Sequence, residues 1–123
     1  MDIKFFDDPL QSPNSREDVR IKQLGLYLFE DRRRVAVGFD ITPFLERPSI
    51  QVSIRNLQGQ EVSSLHVIET LETNFSLTMH LRDPEPQDTY EVLATLYYAT
   101  PDTEREDIQT ITKTLDATQP GEQ

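Results

Sequence analysis

His66 and His80 are the residues of this chain best suited to hold a transition metal or to move a proton near neutral pH. If the segments that carry them pair as one hairpin with its loop near Thr73, the two imidazoles stand side by side. Glu69 or another nearby carboxylate would then complete a small ligand set. The plainer reading, two solvated positions on neighbouring strands, needs no metal and is the one preferred here.

A nucleophile is harder to find. The chain has no cysteine, which removes thiolate catalysis, disulfides, iron–sulfur clusters and cysteine zinc sites. No serine stands in a GxSxG elbow, and the four glycines form neither a GxxxxGK nor a GxGxxG phosphate loop. The expectation is a non-catalytic chain without a cofactor. The alternatives are a small metal-dependent or hydrolytic enzyme, and a structural subunit whose role is assembly.

Charge narrows the partners. The 22 acidic residues outnumber 12 Lys and Arg, for a formal charge of -10, so the chain lacks the cations that displace counterions from a nucleic-acid backbone. An acidic surface suits basic partners or hard cations. Yet Asp102-Thr103-Glu104-Arg105-Glu106-Asp107 lacks the DxDxDG order of a calcium loop and holds an arginine in its middle. Arg32, Arg33 and Arg34 follow Glu30 and Asp31. Three arginines can clamp a phosphate or carboxylate, but in a turn such mixed charges keep a sheet edge from pairing.

The elements that would position these residues show in the apolar periodicity. Apolar residues recur at every second position in short runs, the pattern of half-buried strands, and no stretch holds a helical period. Seven strands are expected, over Val19 to Phe29, Arg34 to Ile41, Ser49 to Arg55, Glu61 to Ile68, Asn74 to Leu81, Tyr90 to Tyr98 and Ile108 to Leu115. In the first, Val19 and Ile21 share one parity while Leu24, Leu26 and Leu28 share the other, which implies a bulge near Gln23. Asn56-Leu57-Gln58-Gly59 reads as a hairpin turn with Gly59 in the left-handed position.

At 123 residues the chain has the size of one domain. Residues 1–18 read as an irregular arm, with Ile3, Phe5 and Phe6 available to pin it. The sandwich then occupies 19–115, and 116–123 is a tail with nothing to bury. No apolar run approaches a bilayer span, and the stretch from Met1 to Asp8 has no apolar leader core. The expected location is cytoplasmic, with no membrane partner.

Seven short strands separated by turn signals predict an all-β, antiparallel Greek-key sandwich. The segment from Leu81 through Asp83-Pro84-Glu85-Pro86 to Tyr90, followed by Val92 and Ala94, resembles the approach to the sixth strand of immunoglobulin-like and fibronectin type III-like domains. The resemblance implies that Tyr90 turns its hydroxyl back to upstream backbone, with Val92 and Ala94 in the core. It implies architecture and leaves function open.

Greek-key order gathers alternate loops at opposite ends. One end would collect Asp40, Glu46, Glu69, Glu72 and the acids from Asp102 to Asp107, while the end around Arg32 to Arg34, Arg55 and Arg82 is balanced. Phe44 and Leu45 lie in a loop between Pro43 and Pro48, and Leu93 and Tyr97 fall on the expected outer face of the sixth strand. Exposed together, residues of that size would mark a protein contact. The expected partner is therefore another protein or a second copy of the chain.

Overall fold

The computed structural model describes residues 12–123. The alternating runs become β1 (Ile21–Leu28), β2 (Arg34–Ile41), β3 (Ser49–Arg55), β4 (Glu61–Val67), β5 (Asn74–His80), β6 (Thr89–Thr100), β7 (Thr103–Asp116) and β8 (Gly121–Glu122). They form two four-stranded antiparallel sheets, β5-β2-β1-β8 and β4-β3-β6-β7, packed as a sandwich.

Period-two alternation decides what lies between the sheets. Val35, Val37, Phe39 and Ile41 of β2 face Ile50, Val52 and Ile54 of β3 and Val92, Ala94 and Leu96 of β6, all of them buried. Burying a Val, Leu or Ile side chain contributes about 1.5–3 kcal/mol, so these alternating positions hold the sheets together. In β1 the bulge expected near Gln23 is present. Ile21 pairs with Ile41 and Gln23 with Asp40, leaving Lys22 as the extra residue, so Ile21 and Leu24 both reach the core. At the β3–β4 turn, Asn56 Oδ1 accepts the N–H groups of Gln58 and Gln60, and Gly59 has a φ of 83°, as its turn requires.

The strand count is eight where seven are expected. β7 begins at Thr103, ahead of the expected Ile108, because its first five residues are exposed on an edge strand and need no apolar partner; the ladder to β6 defines them. The tail is not frayed. Asp116 Oδ1 accepts the backbone N–H and the hydroxyl of Thr118, and the turned chain lays Gly121 and Glu122 against Leu28 and Tyr27. Backbone hydrogen bonds make this strand, and hydropathy carries no trace of them.

The described part of the arm is also tied down. Asn14 donates its N–H to the Pro43 carbonyl and accepts the Leu45 N–H, and a single 3-10 turn at Arg16–Asp18 leads into Val19, which is buried. Ile3, Phe5 and Phe6 lie outside the described residues.

The consequential departure lies between β4 and β5. They are not a hairpin. The chain from Ile68 to Thr73 crosses from one sheet to the other, so β4 and β5 become the facing edges of opposite sheets.

Candidate functional site: the open side between β4 and β5

The crossing separates the two histidines. His66 lies opposite Gln51, and its Nδ1 reaches over β3 to the Tyr97 hydroxyl at 2.9 Å, whereas His80 lies opposite Arg34 in the other sheet. The expected side-by-side pair is therefore not formed. Among the described residues no group of three or more His, Asp or Glu side chains is placed to hold a metal.

The arginine turn is held largely by its own acid, and Arg33 Nη1 is left buried without a hydrogen-bond partner. Asp31 accepts the N–H groups of Arg33 and Arg34 and the Arg34 guanidinium, and the Arg33 N–H, ahead of the guanidinium, holds its carboxyl below the usual carboxylate range. Arg34 also stacks 4.5 Å from the Phe29 ring centre, and Arg33 donates to the Asp83 carbonyl.

The four apolar contact candidates fall in two places. Phe44 is half-buried against the core and bridges to Asn14, while its neighbour Leu45 is 69% exposed. Leu93 is half-buried on the outer face of β6, opposite Ser53 and Thr112. Tyr97 is only 5% exposed, because the Arg105 guanidinium covers its ring at 4.0 Å and His66 packs edge-on. The expectation of Tyr97 as an exposed anchor is corrected by this cover.

The loops between β2 and β3, β4 and β5, and β6 and β7 gather at one end. There Arg16 bonds both Glu46 and Glu106 and stacks 4.7 Å from the Tyr98 ring centre. The hydrogen bond from Arg16 holds the Glu46 carboxyl below its ordinary range. Glu69, Glu72, Asp102 and Glu104 make no ion pair among the described residues.

An unpaired sheet edge is a template for another strand, and folded proteins blunt such edges with covers, bulges and charges. The two sides of this sandwich differ in that respect. On the β1–β7 side, β8 covers Tyr27 and Leu28, and the Gln123 N–H donates to the Leu26 carbonyl. Lys113 turns inward to bond the Leu24 carbonyl, and Gln109 accepts the Ile21 N–H. β7 adds register shifts against β6 and the charges of Glu104 to Asp107.

The β4–β5 side has few of these guards. Val62 to Val67 and Asn74 to His80 contain no Asp, Glu, Lys or Arg, and β5 pairs with β2 in unbroken register from Asn74 to His80. Between the two edges lies a groove of about 430 Å³, lined by Leu65, Thr78, Met79, His80 and Arg82 among others. Leu65, Val67, Phe75 and Leu77 point toward the core but are only half-buried. The groove is bounded at one end by Arg82, whose N–H donates to the Val62 carbonyl, and reaches Leu65 and Thr78 at the other, beyond which the two edges continue to the crossing loop. Ile68 and Leu71 on that loop are 63% and 72% exposed.

Sequence reasoning missed this site because it treated β4 and β5 as partners. The usable signal was the scarcity of charge in two neighbouring strands, where Glu61 at the start of β4 is the one charged residue, set against the charged strand from Thr103.

Neither the family models nor the curated proteins include a match to this chain. Among solved structures, a β-glucuronidase from Parabacteroides merdae superposes with a TM-score of 0.54 at 19% identity, over 80% of this chain and 13% of that one. This likeness shows the shared β-sandwich fold alone. Among the described residues, no helix is long and apolar enough to cross a membrane.

Proposed function

We propose that this chain is a non-catalytic protein-interaction module of immunoglobulin-like or fibronectin type III-like architecture, acting in the cytoplasm, that takes up an extended segment of its partner along the β4–β5 side. The observation that carries this reading is the contrast between one guarded and one unguarded side of the same sandwich. Strand addition draws affinity from main-chain hydrogen bonds and selectivity from alternate side chains, and β5 offers a straight seven-residue edge beside half-buried Leu77 and Leu65. The finer architecture is supported by the sheet-to-sheet crossings and by Tyr90, whose hydroxyl accepts the upstream Gln87 N–H.

The test is amide hydrogen exchange with a capped, uncharged, alternating Thr-Val heptapeptide. Protection should rise across Asn74 to His80, and the double variant S76K/T78K, altered at two exposed positions, should lose it while keeping its melting temperature. Protection confined to β7, or persisting in the double variant, would overturn the reading. The same edge admits a second copy of the chain, and concentration-dependent sedimentation abolished by S76K/T78K would identify self-association as the use made of it.

A further inference from the structure

The groove has electrical ends. β5 runs from the crossing loop, which carries Glu69 and Glu72, toward Leu81 and Arg82. All three charged side chains are exposed and without an ion pair among the described residues; Glu61, which also lines the groove at the Arg82 end, accepts the Ser53 hydroxyl and lies opposite Arg55 in the β3–β4 ladder. Their positions are set by the fold. The Ser49 hydroxyl accepts the Glu69 N–H, buried Thr70 accepts the Glu72 N–H, and Arg82 is pinned through its own N–H to Val62. Glu69 is also held at a φ of 48°, so the loop keeps one shape against local preference.

We infer that the occupant of this groove is an extended partner segment of about seven residues that lies antiparallel to β5, with an acidic residue at its N-terminal end beside Arg82 and a basic residue at its C-terminal end beside Glu69 and Glu72. This rests on the strand-addition reading above. Three observations select it. β5 is the better template of the two edges, because its ladder to β2 is unbroken, whereas β4 has a register shift opposite Arg55 and already spends the Val62 carbonyl on Arg82. Antiparallel pairing is the more stable ladder, and it fixes which end of the segment meets which charge. Seven residues span roughly 23 Å, the length of β5 itself, so charges at the two ends of the segment reach Arg82 and the crossing loop together. The half-buried Leu65, which lines the groove, and Leu77 on β5 then ask for apolar residues at alternate positions between those charges.

Three capped heptapeptides test the order of the charges, each with the same alternating Val-Thr centre: one with Glu first and Lys last, one with the two exchanged, and one with Thr at both ends. Binding measured by fluorescence anisotropy at low salt should favour the Glu-first peptide over its exchanged counterpart by roughly fivefold to tenfold, the scale of two exposed ion pairs turned to repulsions. The preference should shrink in 0.5 M salt, where the screening length falls to a few Å. The variant R82Q/E69Q/E72Q should lose discrimination and bind the uncharged peptide as before. Equal affinities, or a preference for the exchanged peptide, would overturn the inference and leave strand addition standing. Failure of all three peptides to bind would overturn both.

Discussion

The Tyr90 hydroxyl donates to Oδ2 of Asp83 at 2.9 Å and accepts the Gln87 N–H at 2.9 Å, with both side chains buried. Asp83 Oδ1 accepts the Glu85 N–H in turn, so one phenol and one carboxylate hold the whole descent from β5 into β6. Removing the hydroxyl leaves a buried carboxylate oxygen and a backbone donor without partners, at a cost of about 1–3 kcal/mol. Y90F should therefore lower unfolding stability by about that amount in urea titrations, although the ring and its packing are kept. An unchanged midpoint would mean that water replaces both bonds at no cost.

Tyrosine ionisation should set the alkaline limit of the fold. Burial pushes the Tyr98 phenol up to about 12, helped by the Glu46 charge and opposed by Arg16, and burial raises Tyr90 as well. Each folded-state pKa lies above the unfolded value near 10, so the folded chain holds its phenolic protons where the unfolded chain has begun to lose them. The resulting stability is complete below pH 10 and is lost as pH rises through the folded values. Urea unfolding from pH 8 to 12 should show this decline. Y98F, which also gives up a 3.1 Å bond to the Glu46 carbonyl, should start lower and fall less steeply.

Much of the fold was legible because burial has a period. Val35, Val37, Phe39 and Ile41 announce β2, and the switch of parity between Ile21 and Leu24 announces the bulge. Sheet membership was not legible. A loop such as Ile68 to Thr73 serves a hairpin or a crossing equally well, and half-buried alternation on both flanks is common to the two. That single ambiguity paired His66 with His80 and concealed the groove. β8 was hidden for another reason, since side-chain and backbone hydrogen bonds from Asp116 and Gln123 form it without burying a large apolar residue.

Leu93 and Tyr97 share a strand face, yet they should respond differently to change. Tyr97 is covered by Arg105 and bonded to His66, while Leu93 lies half-exposed between serine and threonine. Y97S should cost about 2–3 kcal/mol from lost burial, and L93S clearly less. Thermal unfolding of the two single variants separates these outcomes. If Y97S melts with the parent chain, the cover by Arg105 does not exist in solution.

The guards on the β1–β7 side should be removable. Gln109 Oε1 accepts the Ile21 N–H at 2.7 Å, and Lys113 Nζ donates to the Leu24 carbonyl at 2.9 Å, so two side chains of β7 occupy main-chain groups of β1 that a foreign strand would need. An inward-turned lysine also places a charge where a second sheet would have to pack. Truncating both residues in Q109A/K113A frees the edge from Ile21 to Leu24 and strips β7 of its only cation beyond Arg105. Two effects should appear together. Stability should fall by about 1–3 kcal/mol, since the partly buried Ile21 donor loses its acceptor. Sedimentation velocity should reveal association that grows with protein concentration beyond that of the parent chain, and adding S76K/T78K should not suppress the increment, because the new contact forms on the opposite side of the sandwich. A double variant that sediments as the parent does at every concentration would show that these two residues do not protect the edge, and the contrast between the two sides would lose its physical basis.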